Sequence, residues 1–114
     1  MVIKERKRIE EWATMEPKYF HDMVKGVCDV ENGIIALHAE MHVDLEQELL
    51  DAGSEQENLV GFNIYYDGDI ELDSKIDPPV NRRLEHPRSG RLITDPEMVK
   101  KVTAIVRKWV DVHV

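Results

Sequence analysis

Leu37, Ala39, Met41 and Val43 alternate with His38, Glu40, His42 and Asp44, a row of four polar or ionisable side chains at a spacing of two. The stretch from Asp22 to Val30 has the same period, with Val24, Gly26, Cys28 and Val30 on one side. A repeat of two is that of a β-strand, whose successive side chains point to opposite faces. Asn32-Gly33 lies between the two stretches and is a strong hairpin signal, since a type I′ turn needs positive φ at both central positions. A two-residue loop there pairs Val30 with Ile35, Cys28 with Leu37, Gly26 with Ala39 and Val24 with Met41, a continuous apolar face. The same register sets Lys25 opposite Glu40, Val27 opposite His38 and Met23 opposite His42.

A second hairpin follows. Val60, Phe62, Ile64 and Tyr66 alternate with Leu59, Gly61, Asn63 and Tyr65, and Asp67-Gly68 turns the chain. A three-residue loop, Tyr66-Asp67-Gly68, pairs Ile64 with Ile70 and Phe62 with Leu72. A two-residue loop would set Phe62 against Asp73, so the longer loop is the better reading.

Three segments carry the helical period instead. Residues 4–16 place Ile9, Trp12, Ala13 and Met15 toward one side and stop at Pro17. Asp44 is positioned to cap a short helix through Asp51, carrying Leu45, Leu49 and Leu50, with Gly53 as its stop. In the final helix, residues 95–112, Met98, Val99, Val102, Ile105, Val106, Trp109 and Val110 form one stripe. Its start, Thr94-Asp95-Pro96-Glu97, offers a capping box or an Asp95 cap with proline in the first turn. Residues 77–93, with three prolines and four arginines, read as a long surface loop. The expected fold is α+β: a single two-layer domain over residues 1–114, in the order α-ββ-α-ββ-α. Residues 1–20 form its N-terminal helix and linker, and an antiparallel sheet of two hairpins carries the helices on one face.

Composition narrows the setting. The 114 residues suffice for one core, and 42% hydrophobic with 33% charged residues is globular usage. The longest aliphatic run, Ile34-Ile35-Ala36-Leu37, is far short of a membrane span, and Lys4-Glu5-Arg6-Lys7-Arg8 has no apolar segment behind it to make a secretory signal. One cysteine, Cys28, cannot form a disulfide within the chain, which points to the cytoplasm. The net charge of −8 is segregated: residues 1–39 carry −1, residues 40–77 carry −11 and residues 78–114 carry +4. An acidic middle speaks against duplex nucleic acid as a partner.

The segments Asp22-Met23-Val24-Lys25, Val30-Glu31-Asn32-Gly33, Glu40-Met41-His42-Val43-Asp44 and Gly53-Ser54-Glu55-Gln56-Glu57-Asn58-Leu59 resemble a family of small prokaryotic proteins, domain of unknown function 5674. So do Gly61-Phe62-Asn63-Ile64-Tyr65, Asp73-Ser74, Arg88-Ser89 and Asp95-Pro96-Glu97, and the likeness spans about residues 20–110. The resemblance implies that Glu40, His42, Asp44 and the Arg88-Ser89 region belong to the family's motif. It brings no activity, cofactor or substrate. The loop Asp77-Pro78-Pro79-Val80-Asn81-Arg82-Arg83 departs from the family's pattern, nearer Ile-Asn-Ile-Arg-Pro.

Two sites are nameable from the residues. The row His38, Glu40, His42, Asp44 offers metal ligands, with Glu40 and His42 the best pair. On a strand His38 and His42 would lie about 13–14 Å apart, too far to share an ion bonded at about 2.1 Å. If both hairpins join one sheet, Glu40 and His42 converge with Asn63, Glu71 or Asp73. The competing reading is a solvated face with a Lys25–Glu40 pair. The arginines Arg82, Arg88 and Arg91 offer an anion site ahead of a helix N-terminus, against a loop that is merely solvated or strapped to the acidic middle. The aspartate and glutamate row 67–73 lacks the spacing of a calcium loop. No nucleophile triad, phosphate loop or dinucleotide fingerprint is present. The reading that results is a non-catalytic binding protein without a cofactor, self-associating through a one-sided sheet, with a protein or a small anionic ligand as further partner. A metal-binding protein or metal-dependent hydrolase using Glu40 and His42 is the alternative.

Overall fold

The first hairpin forms where the alternation places it, with a longer turn. In the computed structural model, which describes residues 1–75 and 96–111 (backbone alone for 73–75), β2 runs Met23–Asp29 and β3 Ile34–Leu37. Asp29 pairs with Ile34, Cys28 with Ile35 and Gly26 with Leu37, so the loop is the four residues Val30–Gly33. A buried carboxylate decides this. Asp29 accepts hydrogen bonds from the Glu31 and Asn32 backbone N–H groups at 3.0 and 2.9 Å and from Asn32 Nδ2 at 2.8 Å. Gly33, at φ 69°, donates its N–H to the Asp29 carbonyl at 2.9 Å. An aspartate that gathers the next backbone donors favours this wider turn over the two-residue one. The register moves by two residues, an even number, so each side chain keeps its face.

The second hairpin matches its sequence reading: β4, Leu59–Tyr65, pairs with β5, Ile70–Lys75, setting Ile64 against Ile70 and Phe62 against Leu72. Gly68 sits at φ 102° and the register shifts between Val60 and Phe62. The two hairpins join through β2 and β4, antiparallel along their full lengths, in the order β3-β2-β4-β5. Residues 1–3 lie along the outer edge of β3, with Ile3 N–H on the Ile35 carbonyl at 3.0 Å and Leu37 N–H on the Met1 carbonyl at 2.9 Å.

The first and last helices are shorter than the sequence pattern suggests, and the three helices do not share a face. Helix α1 covers Ile9–Ala13, because Lys7–Arg8 (β1) is extended and pairs in parallel with Val110–Asp111 (β6). The last helix, α3, spans Pro96–Trp109 and gives way to β6, so residues 110 and 111 leave the helix expected to reach 112. The 77–93 loop and the Thr94-Asp95 cap lie outside the described residues. Trp12 of α1 and Val102 and Val106 of α3 pack on Cys28, Leu37, Phe62 and Ile64. Helix α2, His42–Asp51, packs Leu45 and Leu49 on Val27, Ala36 and Leu59, which point from the sheet's other face. The one-face, two-layer arrangement is thus corrected: Val27, Ala36 and Leu59 give that second face apolar positions of its own, and α2 covers them. Gln56 Nε2 donates to the buried Glu46 carboxylate at 3.0 Å and ties α2 to the chain entering β4.

Candidate functional site

The strand ends at Leu37, and this removes the proposed row of ligands. His38 has φ 74°, a backbone conformation that costs most non-glycine residues energy. The alternation changes phase there. Ala39 joins the α2-side cluster, whereas continued alternation would have carried it to the opposite face. The His38 ring lies 6.2 Å from that of Trp12 and 5.1 Å from that of Tyr19. Burial, then the positive charge of the Met1 amine, holds the His38 imidazole below its ordinary pKa.

The other members of the row separate. Glu40 is exposed in the connection between β3 and α2, and Lys25 meets His38 there instead, through a 3.1 Å bond from the His38 N–H to the Lys25 carbonyl. His42 opens α2, with Nε2 3.0 Å from the Phe62 carbonyl, so it donates there. Helix α2 starts two residues before the expected Asp44 cap, with Met41 at the N-cap position. Asp44 lies exposed in the first turn, where the helix dipole favours a carboxylate. Among the described residues no group of three or more His, Cys, Asp or Glu side chains is placed to hold a metal ion. The metal-dependent alternative therefore has no geometric support, and Arg82, Arg88 and Arg91 lie outside the described residues.

The polar side chains that do converge lie on β2, β4 and β5. Lys25, Asn63 and Glu71 occupy one cross-strand row, since Asn63 pairs with both neighbours. Asn63 Nδ2 donates to Glu71 Oε1 at 3.2 Å, and the Tyr65 hydroxyl donates to the same oxygen at 3.4 Å. Asn63 is only 7% exposed, yet its Oδ1 has no hydrogen-bond partner among the described residues. Burial and the carboxylates of Glu71, Asp22 and Asp69 push the Tyr65 hydroxyl pKa up, so a negative field covers this part of the face. The Lys25 ammonium stands 5.2 Å from the centre of the Phe20 ring.

The convergence expected from aligned hairpins is of Glu40 and His42 with Asn63, Glu71 or Asp73; Glu40 takes no described part there, His42 Nε2 meets the backbone carbonyl of Phe62 next to Asn63, and Asn63 meets Glu71 within the second hairpin. The Trp12–His38 contact was not singled out from sequence. A buried indole needs a partner for its one N–H, which is the signal that could have marked Trp12. Cys28 is buried, and burial pushes its thiol up to about 12, so it is inert as a nucleophile.

No helix among the described residues is long and apolar enough to cross a membrane. No curated protein and no solved structure matches the chain. A family model described as "Protein of unknown function (DUF5674)" matches residues 1–109. The match covers nearly the whole sequence, and the chain belongs to that family.

Proposed function

We propose that this protein is a non-catalytic binding domain that takes a cationic group bearing N–H donors at Asn63, in the cross-strand row Lys25, Asn63 and Glu71. The observation that carries this is the buried Asn63 Oδ1 without a partner. An unsatisfied buried acceptor costs about 1–3 kcal/mol. The bond from Nδ2 to Glu71 fixes the amide the other way round, so Oδ1 faces the ligand as an acceptor. Glu71, Asp22 and Asp69 supply the opposite charge, and the nearest lysine on the row has its ammonium on Phe20. An ammonium or guanidinium group donates to Oδ1 and pairs with the Glu71 carboxylate at once.

Titration of the isotope-labelled protein with ethylammonium chloride tests this, with tetramethylammonium chloride and sodium chloride at equal ionic strength as controls. The Asn63 side-chain amide resonances are expected to move and saturate with ethylammonium alone, and the response is expected to vanish in Glu71→Gln. Tetramethylammonium carries the charge without an N–H donor, so an equal response to it refutes the reading.

A cytoplasmic setting accords with the single buried cysteine, a prokaryotic one with the family resemblance, and both are part of the same proposal. Self-association was argued from a one-sided sheet, and α2 on the second face removes that argument. Sedimentation at micromolar concentration decides the oligomeric state.

A further inference from the structure

A second place holds unsatisfied polar atoms, and its chemistry is of the opposite sign. Where β2 begins and β3 ends, Trp12, Lys18, Tyr19, Lys25, His38 and Tyr66 line a pocket of about 10 Å³. That is room for one oxygen-sized group. Trp12 is 1% exposed, and its indole Nε1 is buried without a hydrogen-bond partner among the described residues. His38 Nε2 is buried without one as well.

We propose that this pocket binds the carboxylate head of a small organic acid, one oxygen seated between the Trp12 and His38 rings. The indole N–H can only donate, so whatever satisfies it must accept. A neutral imidazole carries one N–H, and with that proton on Nε2 His38 donates to the same oxygen. Two N–H···O bonds of about 2.9 Å span at most about 5.8 Å between nitrogens, a distance that rings with centroids 6.2 Å apart can meet. The charges at the pocket select an anion. Lys18 and Lys25 line it, and the Lys7 ammonium stands 5.7 Å from the centre of the Trp12 ring. The aromatic rings lower the local dielectric, which strengthens a charge-assisted bond. His38 reaches this position only at a strained φ of 74°, the kind of backbone outlier that collects at ligand sites.

The indole N–H resonances of the ¹⁵N-labelled full chain give a direct readout. Trp109 is an internal control, because its Nε1 already donates to the Gly33 carbonyl at 2.9 Å. On titration with sodium formate, the Trp12 indole resonance is expected to shift and saturate while that of Trp109 stays in place. Sodium chloride at matched ionic strength is expected to move neither. The double variant Lys18→Met, Lys25→Met should bind formate roughly three- to tenfold more weakly, and His38→Asn should bind it more weakly than the native chain. A Trp12 resonance that ignores formate, or follows chloride equally, overturns the proposal and leaves the pocket to a single water. Unchanged formate affinity in both variants overturns it too. Because the probe is an anion read at Trp12, its failure leaves the ammonium site at Asn63 untouched.

Discussion

The Ser54 hydroxyl donates a 2.6 Å hydrogen bond to Asp29 Oδ2 across 25 residues of chain, joining the end of α2 to the first hairpin turn. Three donors from Glu31 and Asn32 converge on the same carboxylate. Burial alone would raise the Asp29 carboxyl, but these bonds, led by the one from Ser54, outweigh it and hold the pKa below the ordinary 3.8.

A pH dependence follows from that depression. A carboxyl depressed in the folded state contributes stability above its unfolded value, and the contribution is lost as pH falls through the lower folded value. Acid melts of Asp29→Asn should therefore lose steepness below about pH 4. Ser54→Ala should cost about 1.5–3 kcal/mol at neutral pH by denaturant unfolding. A Ser54→Ala variant as stable as the native chain would show that the turn stands without this bond.

Gly26 lies where β2 passes beneath Phe62 and Leu37. A Cβ at this position would run into Phe62 Cζ and sit 2.6 Å from Phe62 Cε2 and 2.7 Å from Leu37 Cδ2. Both side chains are fully buried, so they have little room to yield. Gly26→Ala should destabilise by about 1–3 kcal/mol, read as a lower denaturation midpoint at an unchanged slope.

At His38 two substitutions separate backbone strain from ring contacts. His38→Ala and His38→Gly both lose the contacts with Trp12 and Tyr19, but only alanine keeps the penalty of φ 74°. Glycine should be the more stable of the two by about 1 kcal/mol. Equal stabilities would mean that the chain relaxes out of that conformation once the imidazole is gone.

Trp109→Phe tests the tie between the last helix and the first turn. It keeps an aromatic ring and removes the bond to the Gly33 carbonyl, 76 residues away. The expected cost is about 0.5–1.5 kcal/mol, with faster amide exchange at residues 30–33 as the local sign.

Period and turn chemistry determined which residues pair in the second hairpin. A two-residue loop would set Phe62 against Asp73, whereas Tyr66, Asp67 and Gly68 as the loop set it against Leu72, and β4 and β5 show that register. In the first hairpin the same reasoning determined the faces but not the register. A shift of two preserves every face, so the pattern of apolar residues cannot detect it. What chose the longer turn was the set of donors around Asp29, and one of them, Ser54, is distant in sequence and close only in the fold.

The row His38, Glu40, His42, Asp44 shows the other limit. Its alternation is compatible with a strand, but His42 and Asp44 equally begin the helix whose Leu45 and Leu49 cover Val27, Ala36 and Leu59. Burial of that second apolar surface is a tertiary gain that the period of a seven-residue stretch does not contain. Asn63 and Glu71 were legible as neighbours, because a hairpin register is local. The unsatisfied atoms on which the two proposed sites rest were not, because a missing partner belongs to the arrangement of the whole chain around the Asn63 amide, the Trp12 indole and the His38 imidazole.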